Sequence, residues 1–89
     1  MILDTSSETI AGKQSARELL NRLTSREIEV LAHIASGMKN HEIAHELCIS
    51  TRTIETHREH VMKKTDIHSV AKLTQLALRA KLIENEFMT

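Results

Sequence analysis

Two groups of residues hold most of the chemistry open to this chain. His41-Glu42-Ile43-Ala44-His45 sets two imidazoles four positions apart, so a helix would place both on one face, where they could share a zinc ion while the glutamate acts as base. The chemistry would be zinc-dependent peptide hydrolysis. Its surroundings argue against it: the extended form of the motif wants glycine at 48 and histidine at 51, where this chain has Cys48 and Thr51. A third ligand would have to come from Glu55, His57 or Glu59, and a chain of 89 residues leaves little room for a substrate cleft. The second group runs from Ser50 to Lys64, Ser-Thr-Arg-Thr-Ile-Glu-Thr-His-Arg-Glu-His-Val-Met-Lys-Lys. It carries more hydrogen-bonding side chains than a free-standing helix needs, and the chemistry it suits is recognition.

The elements that must position these groups follow from caps and apolar spacing. Thr24-Ser-Arg-Glu27 is a capping box, in which the threonine oxygen and the glutamate carboxylate each satisfy an orphan backbone donor, so a helix begins there. Ile28, Leu31, Ala32 and Ala35 form its apolar stripe, and Gly37 supplies the left-handed residue that stops it. Asn40 is placed to cap a short helix burying Ile43, Ala44 and Leu47, too short to stand without partners. Ser50 or Thr51 caps the next helix, over 51–65, which turns Ile54, His57 and Val61 inward and Arg52, Glu55, Thr56, Glu59 and Lys63 outward. Ser69 caps a last helix, with Val70, Leu73, Leu76, Ala77 and Ala80 apolar, ending near Lys81. Ahead of all this, Lys13 to Arg22 can add a helical turn, with Ala16, Leu19, Leu20 and Leu23 at helical spacing. The first dozen residues are polar and unpatterned and are expected to be mobile.

Composition bounds the rest. The chain has one aromatic residue, Phe87, and no proline, so its core must be built from Leu, Ile, Val, Ala and Met on helices. The fold class is therefore all-α, a four-helix bundle with an extra N-terminal helical turn, in one domain. The expected organisation is a mobile or partly helical segment 1–22, a helical domain 23–83 and a short tail 84–89. The single cysteine, Cys48, makes no internal disulfide, reads as a small buried filler at a turn, and suits a reducing compartment. No apolar run approaches the ~20 residues needed to span a bilayer and no signal peptide is visible, which points to the cytoplasm and away from membranes. Formal net charge is zero, but residues 1–49 hold five basic and seven acidic side chains, 50–81 seven and three, and 82–89 none and two. The sums are −2, +4 and −2, so positive charge gathers on the polar helix and beyond it.

A short helix joined by a tight turn to a longer one with an outward polar face is the helix-turn-helix arrangement, whose second member fits a DNA major groove about 12 Å wide. Leu23-Thr-Ser-Arg-Glu-Ile-Glu-Val-Leu, Ala35-Ser-Gly-Met-Lys-Asn-His-Glu-Ile-Ala, Leu47-Cys-Ile-Ser-Thr-Arg-Thr-Ile-Glu-Thr-His and Lys63-Lys closely resemble the LuxR/NarL/FixJ-type DNA-binding domain in order and spacing. The resemblance covers residues 23 to about 83. It implies a bacterial transcription regulator that binds double-stranded DNA, with the helix 51–65 in the major groove and the last helix forming a two-fold dimer interface on DNA. Carried over residue by residue, base reading falls on Arg52, Glu55, Thr56 and Glu59. Phosphate anchoring falls on Lys39, Asn40, Thr53, Arg58, Lys63 and Lys64, with Arg52 open to either role. His57 matches a position usually filled by histidine, in a packing and hydrogen-bonding role. Leu73, Leu76, Ala77 and Ala80 are divided between core and dimer contact. RNA polymerase is a further candidate partner. Neither a cofactor nor a bound metal is expected, and no enzymatic activity.

Three departures from the family pattern stand out. Positions 55 and 59 are often basic in relatives and are glutamate here. A carboxylate in the groove can accept from cytosine N4, or Glu59 can pair with Lys63 and Glu55 with Arg52 or Arg58 along the helix, each pair contributing about 0.2–0.5 kcal/mol. Thr65 stands where relatives place Leu or Met, so this helix end is expected to pack less firmly. Only 22 residues precede the matching region, where most relatives carry a receiver or sensor domain, so the chain is expected to be a stand-alone regulator or a fragment of a longer one. His33 is expected in solvent, and His60 and His68 near phosphates or water. A helical protein-interaction module is the alternative reading, and zinc peptidase a remote one.

Overall fold

The computed structural model describes residues 15–83; the expected mobility of the first dozen residues and the expected tail 84–89 lie outside them. The described chain forms five helices and no strand: α1 (Ala16–Leu20), α2 (Ser25–Ala35), α3 (Asn40–Leu47), α4 (Thr51–Thr65) and α5 (Val70–Arg79). This is the all-α architecture expected, with α1 as the extra turn.

Each start has a local cause. Ser15 caps α1 and Thr24 caps α2, each in a reciprocal box with the glutamate three residues on, Glu18 and Glu27. The first box has the same S/T-x-x-E spacing as the second. Ser50 and Ser69 cap α4 and α5 by accepting from the backbone N–H of Thr53 and Lys72. The start of α3 differs from expectation. Lys39, not Asn40, is the cap residue, and the Glu42 carboxylate accepts from the Lys39 N–H at 2.7 Å. Asn40 is already the first helical residue, so its amide is free of capping duty.

The stops also share a cause. Gly37 follows α2 with φ +91°, and the N–H of Met38 returns to the carbonyl of His33 at 3.1 Å, satisfying an orphan acceptor. Cys48, Asp66 and Lys81 hold the corresponding left-handed position after α3, α4 and α5, at φ 59°, 57° and 61°. Cys48 is exposed rather than buried, because the chain reverses there and carries its side chain into solvent.

α2 is the spine of the molecule. One side, Leu31 with Ile28 and Ala35, packs into a core with Leu20, Leu23, Val61, Leu73, Leu76 and Ala77. Its other side, Val30 and Ile34, packs against Ile43 and Ala44 of α3 and Ile54 of α4. The single stripe read from the sequence therefore omits half of what α2 buries. α4 bridges both cores, with Ile54 in one and Val61 in the other, and both are fully buried. Leu20 and Leu23 tie the α1 segment into the larger core, so the packed body begins ahead of residue 23.

A further expectation is corrected. Thr65 is buried, and its hydroxyl donates to the Val61 carbonyl at 2.7 Å and accepts from the Ile67 N–H at 3.3 Å. This end of α4 is firm because the hydroxyl is satisfied locally. Of the residues divided between core and dimer contact, Leu73, Leu76 and Ala77 lie in the monomer core and Ala80 is partly buried against it.

Candidate nucleic-acid interface

α3 and α4 meet through the turn Cys48–Ser50, and burial of Ile43, Ala44 and Ile54 fixes the angle between them. Because Ile54 and Val61 point inward, helical periodicity turns Arg52, Glu55, Thr56, Glu59 and Lys63 to the opposite side, where all five are exposed. Arg52, Glu55, Thr56, Glu59, Arg58, Met62 and Asn40 line one open surface cleft of about 490 Å³. The structure thus gathers all four of the sequence-derived base-reading residues with two of the phosphate-anchoring ones. Lys39 is exposed beside Asn40 at the start of α3. Thr53 is half-buried in the first turn of α4, its hydroxyl 2.8 Å from that of Ser50. Thr56 already donates its hydroxyl to the Arg52 carbonyl at 3.2 Å.

The expected ion pairs along α4 are not formed. Among the described residues, Glu55, Glu59, Arg52, Arg58 and Lys63 take part in no salt bridge. Opposite charges sit along one face of α4 without ion-pair partners among the described residues.

Lys64 is different. Its ammonium donates to both oxygens of Glu27, at 2.9 and 3.1 Å, and so ties the end of α4 to the start of α2. Glu27 is 3% exposed, with Oε1 also accepting from the Thr24 N–H at 2.9 Å. Its acidity balances two opposed influences. Burial raises the carboxyl pKa, while the Lys64 hydrogen bond, the Thr24 N–H and the positive charge nearby lower it, and the net result is below the ordinary value. Nδ1 of His60 stands 3.4 Å from Oε2 of the same carboxylate, and the His68 ring stands 3.4 Å from Asp66. Both histidines thus have an acidic neighbour within the protein. His57 is half-buried, as its inward placement implied, but its buried Nδ1 has no hydrogen-bond partner among the described residues. His33 is half-buried rather than open to solvent.

The His41/His45 pair is exposed on α3, and Glu42 is engaged at the Lys39 N–H. Among the described residues, the one group of three metal-ligating side chains close enough to share an ion is Glu27, His57 and His60, which includes neither His41 nor His45. The zinc-peptidase arrangement therefore lacks its third ligand among these residues.

A short helix, a left-handed turn and a longer helix with an open polar face define a helix-turn-helix protein. The comparisons then specify which kind. Residues 21–77 match the family described as bacterial regulatory proteins, luxR family. The chain is 52% identical over 59 residues to an uncharacterized response regulatory protein, YgeK, of Escherichia coli K12, covering 66% of this chain and 40% of that protein. It is 42% identical over 62 residues to the oxygen regulatory protein NreC of Staphylococcus haemolyticus, and 44% identical over the same length to NreC of Staphylococcus aureus, in each case covering 70% of this chain and 29% of the relative. No solved structure matches the chain. The chain belongs to the luxR family of bacterial regulatory proteins, and its helix-turn-helix is the DNA-binding domain of a transcription regulator. It matches well under half the length of these relatives. No helix among the described residues is long and apolar enough to cross a membrane.

Proposed function

We infer that this domain binds double-stranded DNA sequence-specifically by laying the outer face of α4 in the major groove. Arg52, Glu55, Thr56 and Glu59 meet base edges, while Lys39, Asn40, Thr53, Arg58 and Lys63 hold phosphates. The observation that carries this reading is the exposed face of α4, where charges of both signs stand without ion-pair partners among the described residues. Unpaired basic groups suit phosphates, and a carboxylate in the groove suits cytosine N4. Lys64 leaves the phosphate set, because its ammonium is committed to Glu27.

On DNA the domain pairs about a two-fold axis through the outward residues of α5, Val70, Ala71, Thr74 and Leu78, rather than through Leu73, Leu76 and Ala77. Val70 is the one large hydrophobic that is well exposed among the described residues, at 45%. One helix face of this size buries less than the roughly 1,200 Å² of a stable interface, so pairing is completed on the duplex. The protein acts in the cytoplasm, where its DNA lies.

Selection from random duplex DNA, followed by binding at 50 and 200 mM salt, tests this reading. It predicts half-sites about one helical turn apart and an affinity loss of about 10³ over that salt range if six phosphates are neutralised. Failure to enrich any duplex, with salt-insensitive binding to a protein partner, would favour the interaction-module alternative.

A further inference from the structure

Outside the outward face of α4, one cluster has no role in DNA binding: Glu27 at the start of α2 with His57 and His60 on the inner side of α4. We propose that these three side chains form a site for an imidazole-preferring divalent cation of the Zn2+ class, which clamps α4 to α2. One ligand atom from each lies within 4.8 Å of the other two. The separation of His60 Nδ1 from Glu27 Oε2 is 3.4 Å, close to the about 3.3 Å between two ligands of a tetrahedral zinc with bonds near 2.0–2.1 Å. His57 completes the triangle, with a ring nitrogen within 4.8 Å of the other two ligand atoms.

Two features of the cluster go beyond proximity. The buried Nδ1 of His57 has no hydrogen-bond partner among the described residues, an arrangement that costs free energy unless a further group is bound there. Glu27 is held by the Thr24 N–H on Oε1, which leaves Oε2 facing His60 and fixes the carboxylate before any ion arrives. Two imidazoles and one carboxylate, with a fourth position left to water, select Zn2+ and its neighbours over Mg2+ or Ca2+, which want oxygen ligands only. Lys64 donates to the same carboxylate, at 2.9 Å to Oε1 and 3.1 Å to Oε2, so a cation on Oε2 competes with the longer of its two contacts. The site differs from the His41/His45 pair, which lies on α3 without a third ligand among the described residues.

The test is zinc titration of the metal-free 89-residue protein in a Cys48→Ser background, which removes the exposed thiol as a competing ligand. Calorimetry gives stoichiometry, and the ring nitrogen signals of the histidines report which side chains bind. The expected result is one equivalent bound, with the His57 and His60 rings shifted together. His60→Gln, at a half-exposed position, should keep the fold and weaken binding by about tenfold or more, at least what is lost with an outer-shell partner. Lys64→Ala should tighten it by removing the competitor. Uptake that survives His60→Gln but vanishes in His41→Gln/His45→Gln, or no uptake at all, would overturn the proposal.

Discussion

The two faces of α4 treat charge in opposite ways. On the inner face, Lys64 and His60 converge on one buried carboxylate, Glu27, and every oxygen of that carboxylate has a partner. On the outer face Arg52, Glu55, Arg58, Glu59 and Lys63 make no ion pair among the described residues, although helical spacing would allow several. Charges that hold a fold together are satisfied within it, because an unpaired buried charge is costly. Charges reserved for a partner stay exposed and uncommitted, where water solvates them until the partner replaces it. If the proposed DNA reading holds, the same helix separates structure from recognition by rotation about its own axis.

The comparison is broken most forcefully by truncating the inner apolar anchor. Ile54→Ala should cost about 2–5 kcal/mol, since Ile54 is fully buried between α2 and α3. Urea denaturation measures it, and a cost under 1 kcal/mol would mean that α4 is not anchored there. Next in size, Lys64→Ala should cost about 1–3 kcal/mol by leaving Glu27 buried without its cation; Lys64 is 38% exposed, so the loss falls short of that for a fully buried pair.

Acid should act through the same group. Glu27 titrates below its ordinary value in the folded state, so the unfolded chain binds the proton first as pH falls. The stability this contributes is complete above the unfolded pKa and is lost as pH drops through the folded one. Melting temperature followed from neutral to acid pH should decline in that window, and the decline should be shallower in Lys64→Ala. An identical profile in the variant would detach Glu27 from Lys64.

The smallest change in stability belongs to the outer face. Glu55→Ala and Glu59→Ala should each shift unfolding by no more than about 0.5 kcal/mol, as exposed groups without partners do. They should nevertheless alter base preference at particular positions of a selected DNA site. A uniform gain in affinity for every sequence would reduce the two glutamates to simple repulsion of phosphates.

Local signals in the sequence were enough for the starts of α2, α4 and α5, because Thr24, Ser50 and Ser69 act on backbone groups within three residues. Gly37 likewise announced the end of α2. The ends of α4 and α5 were read near residue 65 and Lys81, but the left-handed conformation of Cys48, Asp66 and Lys81 is not advertised by their residue types. The cap of α1 was available in Ser15-x-x-Glu18, which has the spacing of the box at Thr24. What could not be read locally was non-local pairing. Glu27 is recognisable as a capping residue, but nothing near it in sequence indicates that its carboxylate also receives Lys64, 37 positions away. For the same reason Lys64 falls among the phosphate anchors when read from sequence, and the α2 stripe omits Val30 and Ile34, whose packing surface comes from α3 and α4. The outer face of α4 was legible because one helix periodicity and one inward pair, Ile54 and Val61, determine it.

The most direct test of a recognition face separated from a structural face is chemical-shift mapping of the 89-residue protein as a selected duplex is added. The account predicts the largest changes at Arg52, Glu55, Thr56 and Glu59, smaller ones at Lys39, Asn40 and Lys63, and an undisturbed Lys64–Glu27 pair. Changes centred on Lys64 and Glu27, with the outer residues of α4 unmoved, would contradict it.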